Sequence, residues 1–300
     1  MALKRFAFPI FLLGSALLSM GPLFVRLADV GAVQSAFWRL ALGAPVLLIL
    51  ARLMPGAPTA DAPKRGRLWP WIVAAGALFA ADLATWHLGI KRTSLANAAL
   101  LANGAAFFLP VYGYVAARHW PKGQAVAAML LALVGAVLLM GMSAQLGARN
   151  LAGDILCVTA ALCYTAYLVI MDRVRARLAV WPALAVSTLV SALVLLPVAY
   201  WSNGAFWPRD WTPILCLTLA SQVLGQGLTI FALPYISPLA AGIGLLIQPV
   251  LTTLMGIGVL GERLRPLEML GMVLILAALL LVRLPIRGRM PGAGSVPPRE

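Results

Sequence analysis

The sequence predicts an all-α polytopic membrane protein: ten transmembrane helices forming two inverted five-helix repeats, with N- and C-termini cytoplasmic. Three observations carry this expectation. Hydrophobic residues make up 62% of the 300 residues, and Asp, Glu, Lys and Arg only 11%. Ordinary soluble chains hold about 45–50% and about 25% of those classes, so a soluble fold could not hide this much apolar surface. Apolar runs of roughly 18–22 residues, enough for a hydrocarbon core of about 30 Å, recur through the chain. Finally, the two halves echo one another at a separation of about 145 residues, an internal repeat of the kind that transporters show.

Breaks at charges, Pro and Gly divide the chain into spans at about 7–27, 33–53, 69–88, 93–116, 123–142, 152–171, 180–200, 211–232, 237–260 and 266–284. The opening stretch could pass for a signal peptide. Its apolar part is long and no clear cleavage site follows, so it reads as a retained first helix. Residues 54–68 are turn-rich and read as a surface loop, and 287–300, rich in Gly, Pro and Arg, as a disordered cytoplasmic tail. Trp69, Trp71, Trp120, Trp181, Trp201, Trp207 and Trp211 fall near span ends, where an indole buries its ring and still donates a hydrogen bond.

The formal charge of +14 would suit a nucleic-acid binder, but the basic residues lie in the gaps between apolar runs. There they act as topology determinants. With the N-terminus inside, fifteen of the 23 Lys and Arg fall on the cytoplasmic side and seven on the other, with Arg39 left inside a span. The repeat shows in ARHWP at Ala117–Pro121 against ERLRP at Glu262–Pro266, after which the last spans of each half run in register. Five spans separate equivalent points, so the second copy enters the membrane upside down. The expected units are 1–147 and 148–286. The fifth and tenth spans carry no ionisable residue inside and read as scaffold, with Gly135 permitting close helix contact.

Polar residues within the spans are the candidate substrate contacts, because each is costly in lipid unless it faces protein or water. On the third span these are Asp82 and, one turn on, Trp86. Asp82 reads either as a solute or proton group or as a structural partner of Arg39, His87 or Lys91. The fourth span offers Asn97, Asn103 and Phe107. The sixth offers Tyr164 and Tyr167, near mid-depth rather than in the aromatic belt. Gln222, Gln226 and Gln248 complete a chamber that reads as uncharged and partly aromatic, suited to a zwitterion or amphipathic amine. Arg39, in FWRL, could attract a carboxylate or pair with Glu262 as a gate strut. Pro110 and Pro249, with Gly242 and Gly244, are the hinge candidates.

No Walker motif, dinucleotide fingerprint, metal-ligand cluster or G-x-S-x-G element occurs, so no cofactor or metal and no enzyme activity is expected. Cys157, Cys163 and Cys216 lie in apolar segments without paired spacing. Movement of solute would be passive or driven by another gradient, with His87 a candidate for proton coupling. Two competing classes stay open. One is a broad exporter of lipophilic cations with Asp82 as charge partner. The other is an intramembrane enzyme acting on lipid, which would need clustered acids or a His/Asp pair.

The ten spans, the inverted halves, FWRL at Phe37–Leu40 and GERL at Gly261–Leu264 resemble the drug/metabolite transporter superfamily, specifically its EamA-type members, over about residues 7–284. Taken whole, the chain looks like bacterial aromatic-amino-acid exporters that also export methyl viologen. The resemblance implies an inner-membrane carrier in which spans one to four and six to nine enclose the cavity. It also implies export of aromatic and some other neutral amino acids to the periplasm. The expected partners are that solute, with methyl viologen as a further candidate, and membrane lipid, with no nucleic acid. The inverted repeat points to alternating access. Tyr164 stands where such exporters carry an aromatic residue, often Trp. Ala117-Arg118 departs from the Glu-Arg of the second repeat, so any acid–base lock there would be one-sided.

Overall fold

The computed structural model describes residues 2–54, 68–90, 92, 101–140, 148–175, 177–260 and 265–283. Asn97, Glu262 and the 287–300 tail lie outside them. Every regular element among the described residues is helical.

The first half contains α1 (Ala2–Leu18), α2 (Gly21–Leu27), α3 (Ala32–Leu53), α4 (Trp69–Ile90), α5 (Ala105–Ala117) and α6 (Gly123–Met140). The second contains α7 (Ala148–Arg175), α8 (Val180–Trp201), α9 (Thr212–Leu217), a π-helical segment (Thr218–Gly225), α10 (Gln226–Ala232), α11 (Pro238–Leu245), α12 (Ile247–Leu260) and α13 (Pro266–Arg283). Among the described residues, seven helical stretches are long and apolar enough to cross a membrane: Phe6–Val25, Ala32–Leu53, Trp69–Gly89, Leu151–Arg175, Val180–Trp201, Thr212–Tyr235 and Pro238–Met255. Three shorter apolar helices, Ala105–Ala117, Gly123–Leu138 and Pro266–Val282, accompany them. The chain is a multi-pass membrane protein.

The distribution of side chains follows from lipid as solvent. Leu130, Leu133, Val273 and Leu280 are among many large apolar residues exposed on the outside. Ser187, Thr188, Ser191, Ser221, Gln222, Gln226 and Thr229 are buried inside. A water-soluble protein places these classes the other way round.

Close packing depends on glycine at several crossings, Gly76 and Gly135 among them. A Cβ on Gly76 of α4 would stand 2.6 Å from the Ser187 carbonyl of α8, and the Ser191 hydroxyl donates to the Gly76 carbonyl at 2.7 Å. At the α6–α13 crossing, Gly135 lies against the Gly271 carbonyl and Ile275, the close contact expected of it. Small residues let backbones approach where no hydrophobic drive holds helices together in lipid.

Several spans are discontinuous. The first breaks between α1 and α2, where Gly21-Pro22 opens the second piece. The eighth relaxes into the π segment, a form that recurs at functional sites. A turn at Asn103-Gly104 precedes α5, and a turn at Leu246 separates α11 from α12. Pro249, three residues into α12, falls in the first turn, where its missing N–H costs nothing. Pro110 lies within an unbroken α5. Gly242 faces it and the Ala106 carbonyl, and Gly244 faces the Phe11 ring. In this structure Pro110, Gly242 and Gly244 are therefore packing points, and the interruptions lie beside them.

At one end of the bundle the 202–211 connection folds over α3. Gln34 donates to the Ala199 and Ser202 carbonyls, both at 2.9 Å, and Trp38 Nε1 donates to the Phe206 carbonyl at 2.7 Å. The Trp38 ring meets those of Phe206, Trp207 and Trp211 at 5.6, 4.9 and 5.1 Å between centroids. Trp207 and Trp211, which the sequence places in an interfacial belt, thus surround Trp38. The Asp29 carboxylate accepts from the Arg209 N–H at 2.8 Å. The Thr212 N–H donates to Asp210, holding that exposed carboxyl below its ordinary pKa. Trp38→Ala is expected to release this connection, because one indole supplies both the hydrogen bond and the stacking. Hydrogen exchange of residues 203–210 should rise at least tenfold, while that of α6 and α13 stays unchanged.

Candidate functional site

The candidate site is assembled from α3, α4, α7, α8 and the π segment with α10. On α4, Phe79, Asp82 and Trp86 recur at helical spacing and so share a face. On α7, Tyr164 and Tyr167 do the same. The Phe79 ring stacks on Tyr167 at 4.8 Å between centroids and lies 6.2 Å from Tyr164; the two tyrosines are 5.9 Å apart. The three rings form one aromatic shelf.

Arg39 reaches this shelf from α3, its guanidinium 5.7 Å from the Phe79 centroid, a cation–π distance. The charge that acts on it is that of Asp82, which is felt at Cys163 and Tyr164 as well. The chamber is therefore not the uncharged one expected from mid-span amides alone. The cause is helical direction: Trp38 turns to the end of the bundle, and the next residue, Arg39, turns inward. Protein surrounds Arg39, Asp82, Trp86 and Tyr164, yet each keeps accessible surface.

Gln222 and Gln226 enter from the other side, one helical turn apart across the end of the π segment. Gln222 Nε2 donates to the Thr188 hydroxyl at 2.9 Å. Gln226 sits beside the Tyr164 and Tyr167 hydroxyls, although its Nε2 and the Tyr167 hydroxyl are not at hydrogen-bond geometry. Arg39 Nε, Trp86 Nε1, Tyr167 Oη, Gln222 Oε1 and Gln226 Nε2 are all buried without a hydrogen-bond partner among the described residues. Each such group costs about 1–3 kcal/mol, and native folds keep few of them.

Asn103, Phe107 and Gln248 are half-buried at or just beyond the breaks in the fourth and ninth spans, away from the aromatic shelf in sequence and element. His87, behind Trp86, turns its Nδ1 to the Leu83 carbonyl and its ring edge to the Trp86 indole. A separate cleft of about 250 Å³, lined by Tyr114, His119, Trp120, Lys122, Gln124, Ala125, Leu239 and Val282, lies on elements that do not build the shelf.

Sequence reasoning missed Phe79, Ser187 and Thr188. Phe79 reads as ordinary core, and only its position three residues before Asp82 hints otherwise. The hydroxyls of the seventh span, Ser187, Thr188 and Ser191, are a clustered signal in an otherwise apolar run.

A helical bundle with an apolar exterior and interior polar groups lacking protein partners defines a polytopic membrane protein with an intramembrane polar site. Residues 151–284 match the EamA-like transporter family. The threonine/homoserine exporters RhtA of Escherichia coli K12 and of Escherichia coli O157:H7 are each 28% identical over 153 residues. That alignment covers 50% of this chain, and the chain spans about half (51%) of the length of these curated relatives. A solved crystal structure shares the fold, with a TM-score of 0.79 at 18% identity over 92% of this chain and 96% of that one.

Proposed function

We propose that the protein is a bacterial inner-membrane exporter of neutral amino acids, aromatic ones among them, working by alternating access through a central chamber. The observation that carries this reading is the set of buried, unpartnered polar atoms around one aromatic shelf. Such groups, costly to an inert bundle, are what a polar solute needs when it leaves water. The matched relatives are named threonine/homoserine exporters, which supports the amino-acid class. The shelf of Phe79, Tyr164 and Tyr167 favours aromatic side chains.

The helix pairings support two inverted units, 1–147 and 148–286, with ten spans and both termini inside. α3 packs on α8, α5 on α11 and α6 on α13, so equivalent spans of each half meet. The α4–α7 contact is matched by that of α1 with α10 and the π segment. Contacts between third and sixth spans are thus repeated between eighth and first, as a two-fold axis in the membrane plane requires. Asn103-Gly104 and Gln248-Pro249, 145 positions apart, fall at the breaks of equivalent spans. Asn103, Phe107 and Gln248 then line the far side of the chamber. Asn97 keeps the contact role expected of it.

Purified protein in liposomes should take up labelled phenylalanine and tryptophan saturably, with competition by threonine and homoserine. An imposed proton gradient should change accumulation if transport is proton-coupled and only the rate of equilibration if it is not. Movement of methyl viologen with no movement of any amino acid would replace this reading with that of a lipophilic-cation exporter.

A further inference from the structure

We infer that Arg39 and Asp82 form a zwitterion clamp, in which the guanidinium takes the carboxylate of an amino-acid solute and the carboxylate takes its ammonium group. This rests on the proposed amino-acid transport and deepens it by assigning the two ends of the solute. Arg39 enters the site from α3 with its guanidinium 5.7 Å from the Phe79 centroid, and Asp82 lies three residues beyond Phe79 on the same face of α4, so the two charges come from different helices and flank one ring. Among the described residues they make no contact ion pair, and Arg39 Nε has no hydrogen-bond partner. A buried pair serving structure alone gains most from direct contact, because the Coulomb attraction must offset the loss of hydration of both ions. These two are held apart, and both retain accessible surface.

The surroundings fix the third point of attachment. Phe79 lies under the guanidinium at 5.7 Å and stacks on Tyr167. A solute bridging the charges would lay its side chain along this shelf. Trp86 Nε1, one turn beyond Asp82 and without a partner, is available to a second carboxylate oxygen. Arg suits a carboxylate better than Lys because its planar fork holds both oxygens. Glu262 lies outside the described residues; the observed charged neighbour of Arg39 is Asp82, so the clamp assigns Arg39 to solute rather than to a gate strut.

The test uses full-length purified protein and three probes: phenylalanine, phenethylamine, which lacks the carboxylate, and 3-phenylpropionate, which lacks the ammonium group. Arg39→Gln should weaken phenylalanine binding at least tenfold while leaving phenethylamine binding within about twofold. Asp82→Asn should do the same to phenylalanine and spare 3-phenylpropionate. Arg39→Lys and Asp82→Glu, which keep the charges, should recover part of the affinity, and thermal unfolding in detergent identifies any variant that has lost its fold. If Arg39→Gln and Asp82→Asn stay folded yet weaken all three probes equally, the pair is structural and the clamp is overturned. If Asp82→Asn abolishes gradient-driven accumulation while phenylalanine affinity is kept, Asp82 carries protons and the clamp is again overturned. Wild-type protein that binds and moves none of the amino acids would instead overturn the transport reading itself.

Discussion

Gly76→Ala is expected to destabilise the bundle by about 3 kcal/mol. The estimate combines overpacking of a tight contact, about 1–3 kcal/mol, with the loss of an interhelical hydrogen bond, about 0.5–1.5 kcal/mol. The added methyl would stand 2.6 Å from the Ser187 carbonyl and 2.7 Å from Val190 Cβ. Neither is the far end of a flexible side chain, so only separation of α4 from α8 relieves the clash. That separation also breaks the Ser191–Gly76 hydrogen bond, leaving the hydroxyl to the Ser187 carbonyl of its own helix, likewise at 2.7 Å. Because α4 and α8 carry Phe79, Asp82, Ser187 and Thr188, displacement there opens the site as well. Gly123→Ala is the control: nothing lies within 4 Å of its added Cβ, so it should be neutral or slightly stabilising. Thermal unfolding of the two variants in the same detergent gives the comparison.

Gln226→Leu is expected to act in opposite directions on stability and on transport. Gln226 Nε2 is buried and without a partner among the described residues, so an apolar side chain of similar size relieves about 1–3 kcal/mol of desolvation cost. The unfolding temperature should rise by several degrees. Transport should fall at least tenfold, because the amide sits beside both tyrosine hydroxyls. A more stable protein that no longer moves solute is the signature of a site maintained against the interest of the fold. Equal loss of both properties would make Gln226 a structural residue.

Much of the fold is legible in the sequence because lipid imposes a strong and simple code. Every backbone polar group must be paired within the chain, so long apolar runs become helices. The spans at 33–53 and 180–200 accordingly differ by one residue from Ala32–Leu53 and Val180–Trp201. The interruptions were legible only in part. Leu246 and Asn103-Gly104 break helices beside the glycines and prolines that mark them, because those small residues are spent on contact: Gly242 against Pro110, Gly244 against Phe11. Nothing local distinguishes a proline that bends a helix from one that a glycine accommodates.

The site was legible as a list of residue types and not as an arrangement. Asp82, Trp86, Tyr164, Tyr167, Gln222 and Gln226 are conspicuous in apolar runs; the structure stacks the two tyrosines and sets Gln226 beside them, while Trp86 meets His87 and Gln222 meets Thr188. Arg39 needed the third dimension. Its depth on α3 allowed either a surface-seeking or an inward side chain, and only packing of α3 beside α4 and α8 turns it toward Asp82. Phe79 was invisible for the opposite reason, being one apolar residue among many.

The central proposition is that solute passes through the space between the aromatic shelf and the two glutamines. Its most direct test is thiol labelling of Gln226→Cys in a background where Cys157, Cys163 and Cys216 are replaced. A small membrane-impermeant reagent should modify this buried position from either side of the membrane in turn, and saturating phenylalanine should slow modification at least tenfold. A position that stays unreactive from both sides in folded, membrane-inserted protein, or that reacts at the same rate with and without phenylalanine, would contradict a transport pathway there.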